Sequence, residues 1–297
     1  MNAAPTHRAF SPGRIVTMAG NTLLELVRLK VFYFLLVFAL LLVGFSLFAL
    51  NFQIQEQFQM LKDIALGAMS IFTWLLAVLA TAMLLPKDIE DRTLYTILAK
   101  PVPRLEYLAG KLLGVLALLA IATGVMSLLF SGLLYARQEI AIAEAVQQAG
   151  AHASAEQLQA ITHKITAQTF TWSLIPGVVT IYLKAALFAA LTLLLSTFAS
   201  SWIFTVVVSV AVYLIGNVQS VVREYWLTEQ GTSAVAKIFL ALVSLLFPDV
   251  QLFNLVDDIV AGNAIALGLF LKTAALGGIY IAVYFTLAYH VFSKKEL

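Results

Sequence analysis

The sequence predicts an all-α polytopic membrane protein with six transmembrane helices, and three observations lead there. Of its 297 residues, 61% are apolar and only 11% charged, where a soluble domain carries about a quarter of its residues charged. Mean hydropathy is +0.94, which is more apolar surface than one soluble core can bury. Finally, long apolar runs alternate with connections that hold nearly all the charge. The net charge of +2 is too small to point to nucleic acid. With no cysteine, disulfides, thiol catalysis and cysteine metal sites are excluded.

Residues 1–30 contain no run resembling a signal peptide. In "GRIVTMAGNTLLELVRLK", Ile15, Met18, Thr22, Leu26 and Leu29 share one helical face. Thr17, Asn21, Glu25 and Arg28 share the other, as expected of an amphipathic helix lying on the inner membrane surface. The uncharged run 31–50 follows. It is too long for a signal peptide and lacks an A-x-A-like end, so it is expected to remain as a signal anchor. About 20 apolar residues cross about 30 Å of hydrocarbon, and this run suffices for the first span. The second is 64–85, the third 112–136, the fourth 172–197, the fifth 202–222 and the sixth 264–292.

The basic residues set the orientation. The N-terminal arm, the 86–111 connection, the 198–201 turn and the C-terminal tail hold eleven Lys and Arg. The opposite connections hold five, Lys62, Arg137, Lys164, Arg223 and Lys237, together with ten of the 16 acids. The positive-inside rule then places both termini in the cytoplasm of a bacterial inner membrane.

On the outer side, "KIFLALVSLLFPD", 237–249, is too short to cross. The 223–263 region is therefore expected to hold re-entrant or interfacial helices. The insert 137–171 is polar, with Leu158, Ile161 and Ile165 at helical spacing and a capping box from Ser154 and Gln157. It is expected to form an external helical hairpin broken at Gly150. His152 and His163 within it lack metal-ligand spacing, so no metal site is predicted.

Motifs for chemistry are missing. Gly110-Lys111 is followed by Leu112, and Leu105 stands where a Walker A loop needs glycine. The six predicted spans contain no Asp or Glu, whereas carriers and polytopic enzymes need ionisable groups at membrane depth. No catalytic residue and no bound cofactor are predicted. Lys184, in the fourth span, either holds an anionic group in a cavity or snorkels to the headgroups. Lys272, near the end of the sixth, is expected to snorkel. Asn217 and Gln219, in the fifth, either line a polar path or mark its outer end.

The strongest functional signal is "KDIEDRTLYTILAKPVPRLEYLAGK", 87–111. Asp88, Glu90 and Asp91 precede "RTLYTILA", whose Leu94, Ile97 and Leu98 fall at helical spacing, and acids at a helix start complement its dipole. "KPVP" stops that helix, and Pro103 suits the first turn of another that leads into the third span. The pattern predicts a short helix across the cytoplasmic ends of two spans, suited to docking a soluble partner.

"EDRTLYTILAKPVPRLEYLAGKLLG" closely resembles the segment after the second span of ABC-2-type transporter permeases. The branch it looks most like is associated with multicopper-enzyme maturation. The detailed match covers about 25 residues, and the predicted architecture supports it over the rest of the chain. The 137–171 insert is longer than in compact members. The resemblance implies a permease subunit without catalysis, paired with a second permease chain as a homodimer or paralogous heterodimer. Two ATPase subunits that bind ATP and Mg would dock below. It also implies a coupling helix, Asp88 to Ala99, meeting the ATPase through Asp88, Glu90, Asp91 and Arg92, with Thr93 in the motif. Leu94, Tyr95 and Leu98 would be the apolar contacts. Pro101, Pro103, Arg104 and Glu106 would fix the geometry, and Lys111 would anchor at the headgroups. Substrate would pass between the first, second and fifth spans of the two chains. The insert offers a surface for a periplasmic partner.

Overall fold

The computed structural model describes residues 11–28, 32–48, 54–90, 103–149, 154–169, 171–199, 201–228, 235 and 247–294. Among these the chain is helical, with no strand. The helices are α1 (Pro12–Val27), α2 (Phe32–Phe48), α3 (Ile54–Glu90), α4 (Arg104–Ala149), α5 (Ala155–Thr169), α6 (Leu174–Phe198), α7 (Trp202–Thr228), α8 (Val256–Val260) and α9 (Leu267–Lys294), with a 3-10 turn at Val250–Phe253. Five of them, α3, α4, α6, α7 and α9, are long and apolar enough to cross a membrane. The charge-free α2 is described over 17 residues, about 25 Å at 1.5 Å per residue, a little under the hydrocarbon thickness.

α6 is the central column. Its apolar residues run all round the helix, which in a globular bundle means burial on every side. Ala185, Ala186, Ala189 and Ala190 are all buried, and such small residues let neighbouring backbones approach closely. α3, α4, α7 and α9 pack around it. The bundle has two apolar cores. One, towards the end where α1, the last turns of α3 and α9 and the start of α4 meet (the near end), includes Leu85, Tyr107, Leu119, Phe188, Tyr284 and Phe292. The other, towards the far end, joins Phe38, Phe58, Met69, Phe130, Ile181 and Ile259. α2 buries Phe38 and Leu42 while Leu40 and Val43 remain exposed, the pattern of a helix with one face left to lipid.

Three elements differ from their sequence-based bounds. α3 runs unbroken through Pro86 to Glu90, so Asp88 ends the second-span helix rather than opening a separate coupling helix. Proline removes a backbone hydrogen bond and crowds the preceding turn. The turn beyond it is nonetheless anchored, because Asp88 is engaged by Lys111 and Tyr107.

α4 runs 46 residues without a break, about 69 Å, more than twice the hydrocarbon thickness. The third span and the first arm of the 137–171 insert are therefore one helix. The polar stretch from Arg137 contains no glycine or proline to stop it before Gly150. α5 is the second arm. Its start carries the expected capping box, with Gln157 N–H donating to Ser154 Oγ (3.2 Å) and Ser154 N–H to Gln157 Oε1 (3.0 Å). The arms close on each other through a hydrogen bond from Thr169 to Gln138 and through buried Ile165 and Ala141. Lys62 Nζ donates to Gln168 O (2.7 Å), tying the pair to α3.

The third difference is in the 223–263 region. α7 continues to Thr228, while 237–246 lies outside the described residues. Beyond it, the 248–253 turn sits inside the bundle. A Cβ on Gly216 of α7 would stand 2.6 Å from Pro248 O, and the Phe253 ring rests on Gly277 of α9. Asp249 is 3% exposed and accepts from Gln251 N–H (3.1 Å). A buried carboxylate thus lies against the bundle although none belongs to a predicted span.

Candidate functional site

The charged connection is described on both flanks. Asp91, Arg92, Thr93, Leu94, Tyr95, Leu98 and Pro101 lie outside the described residues. Glu90 ends α3, and Pro103 precedes α4, its carbonyl accepting from Tyr107 N–H (3.2 Å).

Both flanks are fastened to α1. The face of α1 with Ile15, Met18, Thr22 and Leu26 lies on the first turns of α4, where Gly110 and Gly114 stand one helical turn apart. A Cβ on Gly110 would meet Met18 Cβ at 2.5 Å, and one on Gly114 would meet Thr22 Cβ at 2.6 Å and Ala19 O at 2.9 Å. Only glycine permits this approach, the same logic by which glycines four apart bring membrane helices together. The amphipathic helix therefore turns its apolar face onto α4.

Ion pairs complete the attachment. Glu106, in the first turn of α4, is 0% exposed. Arg14 approaches it twice, Nε to Oε2 at 2.8 Å and Nη2 to Oε1 at 3.0 Å, and Ser11 N–H donates to Oε1 at 2.9 Å. The carboxylate also complements the dipole of the helix it starts. At the other end of α1, Glu25 receives Lys87 of α3 (3.1 Å) and Lys111 of α4 (3.5 Å). Lys111 reaches Asp88 at 2.7 Å, with both side chains 10% exposed, and the Tyr107 hydroxyl donates to the same Asp88 oxygen. Glu25, Lys87, Asp88, Tyr107 and Lys111 thus form one network across three helices. The half-exposed Lys87 contact contributes little. The shielded Lys111–Asp88 pair is costly to break, because the surviving charge is left without its counter-ion.

Arg104 adds a fourth helix. Its Nη1 donates to the carbonyls of Phe292 (3.1 Å) and Ser293 (2.6 Å) in the last turn of α9. A cation there satisfies end carbonyls and complements the helix dipole. The Tyr107 ring stacks on Phe292, centroids 5.8 Å apart and 18° from parallel.

This arrangement redistributes the expected roles. Arg104 and Glu106 fix geometry within the chain. Asp88 is engaged by Lys111 and Tyr107. Lys111 meets Asp88 and Glu25 where a headgroup contact was expected. Arg14, Glu25 and Tyr107 were missed by sequence reasoning. The available signal was a lone acid, Glu25, on an otherwise weakly charged helix, together with the Gly110 and Gly114 spacing.

The pathway candidates separate. Lys184 is buried and donates to Ser70 of α3. Asn217 Nδ2 donates to Tyr213 O of its own helix (2.8 Å). Gln219 is buried with neither amide atom hydrogen-bonded. Lys272 is exposed.

The family model for the ABC-2 family transporter protein matches residues 17–297. The chain belongs to the ABC-2 family of transporter proteins. No curated protein matches it. As an ABC-2 protein it is a multi-pass permease subunit of an ABC transporter. Such subunits are generally non-catalytic, and membership implies an ABC ATPase partner and usually a second permease chain.

Proposed function

We propose that this permease receives ATP-driven motion at residues 91–102 and uses it to export or extrude a substrate across a bacterial inner membrane. The near end and both termini face the cytoplasm, in keeping with the eleven basic residues on that side. Two ATPase subunits, binding ATP and Mg, dock on two permease chains, identical or paralogous. Glu90, Asp91, Arg92 and Thr93 supply polar contacts and Leu94, Tyr95 and Leu98 apolar ones. Pro101 and Pro103 set the turn back into α4.

The observation that carries this reading is that both flanks of 91–102 are held on α1 while Arg104 holds α9. A push on the connection then moves α3, α4 and α9 together with α1. Coexpression of both subunits and their extraction in one detergent gives the test. The permease is expected to copurify with an ABC ATPase and raise its ATP hydrolysis. An ATPase that neither binds nor responds would contradict the reading.

A second reading is favoured by α4. Its 46 residues run without interruption from the charged connection to the far end of the insert, as a rod that transmits movement to a periplasmic partner while little crosses. Deleting 138–169 separates the two. Export that survives with partner binding lost assigns the insert a transmitter role, and lost export with intact assembly favours a direct role in transport.

A further inference from the structure

Lys184 lies ten residues into α6, about 15 Å along the helix from its far end. It is 7% exposed. Its ammonium donates to the Ser70 hydroxyl of α3, and among the described residues no carboxylate pairs with it. One ammonium carries three donors, and one is used. One turn further along α3, Trp74 is 7% exposed and its indole N–H has no acceptor. Its ring stacks on Tyr213 of α7, centroids 4.0 Å apart, and stands edge-on to Phe188, 6.3 Å away, one turn below Lys184.

This is a donor-rich, acceptor-poor cluster at the junction of α3, α6 and α7. A buried cation normally has a counter-ion or several acceptors, and an ionisable side chain at membrane depth marks function more often than structure. What the cluster lacks is a negative group. The surroundings are apolar, and α7 beside it leaves Val207, Leu214 and Val218 exposed, as a surface for alkyl chains.

We infer that Lys184 and Ser70 seat the anionic headgroup of an amphiphile, a phosphate or carboxylate carried on alkyl chains, above the aromatic layer of Trp74. The seat is closed here, and it opens when α3 and α6 part at Ser70. The inference rests on the permease reading for its access route but predicts binding whether or not transport follows. The same headgroup chemistry belongs to a cargo molecule or to a resident membrane lipid.

The test uses the complex with its ATPase in nanodiscs, with phosphatidylglycerol as the anionic probe and phosphatidylcholine as the control. Native mass spectrometry counts lipid retained per permease chain. Lys184→Met keeps length and removes charge, and Lys184→Arg keeps charge. Phosphatidylglycerol retention is expected to fall about tenfold in Lys184→Met, the loss of one charge-assisted contact. It is expected to survive in Lys184→Arg, with phosphatidylcholine unaffected in all forms. Equal phosphatidylglycerol retention by Lys184→Met and the parent chain would overturn the inference. A second arm follows fluorescent phosphatidylglycerol in proteoliposomes. ATP-driven, Lys184-dependent transfer between leaflets identifies a cargo, and Lys184-dependent retention without transfer identifies a resident lipid. Failure of transfer alone therefore leaves the seat intact, whereas an ATPase that neither binds nor responds counts against the permease reading.

Discussion

Lys111 and Asp88 meet at 2.7 Å across the mouth of the charged connection, joining the last turn of α3 to the second turn of α4. The pair closes the base of a 12-residue excursion, 91–102, so neither helix end can swing without the other. Tyr107 and Glu25 share the same charges, which couples the excursion to α1.

The first prediction concerns this pair. Lys111→Met takes the Lys111 ammonium away from buried Asp88, and breaking one half of a shielded pair costs about 3–5 kcal/mol. Thermal unfolding in detergent should fall accordingly. Lys111→Met combined with Asp88→Asn should recover at least half of the loss, since both charges go together. A single and a double variant of equal stability would contradict the pairing.

A similar cycle applies to Arg14 and Glu106. Arg14→Ala strands a fully buried carboxylate, whereas Arg14→Met with Glu106→Gln does not. The single variant should lose about 3 kcal/mol or more, with the double variant closer to the parent. Limited proteolysis of the N-terminal arm reads the detachment of α1 directly.

The glycine contact gives a steric prediction. Gly114→Leu drives a side chain into Thr22 and the Ala19 carbonyl, and overpacking of this kind costs about 1–3 kcal/mol. The chain has no cysteine, so a single introduced cysteine on α1 can be labelled cleanly. Labelling of Thr22→Cys should rise when Gly114→Leu is added. Unchanged labelling would show that α1 does not lie on Gly114.

Lys184 yields a prediction of opposite sign. Replacing a buried group that has no counter-ion with an apolar one of similar length is neutral or stabilising by about 1–4 kcal/mol. Lys184→Met should therefore unfold no earlier than the parent chain in neutral detergent. A clear loss of stability would mean that the ammonium is structural, held by Ser70 for the fold.

How much of this was legible follows from the physics of each element. Apolar run length marked the helices of the bundle, because bilayer thickness imposes it on sequence. The capping box at Ser154 was legible because its two hydrogen bonds join residues three apart. The end of α3 was not. Pro86 is a local signal for a break, whereas the contacts that hold Lys87 and Asp88 come from α1 and α4, far along the chain. The same reason hid Arg14 and Glu25, whose partners are 92 and 62 residues away. Lys184 was recognised as an anomaly, but Ser70 and Trp74 as its surroundings required the bundle. The reach of α4 into the insert was masked by polar composition, which marks exposure to water and leaves helix continuity undecided.

The most direct measurement of the central claim is assembly of the complex when the charges of the connection are exchanged. Asp91→Lys with Arg92→Glu reverses both contacts while leaving the clamp of Asp88, Lys111, Arg14 and Glu106 untouched. The account predicts that the permease still inserts and unfolds at its usual temperature, while the copurifying ATPase falls about tenfold or more, the loss expected when opposed charges are made to face like ones. An ATPase retained in full and still stimulated would contradict it.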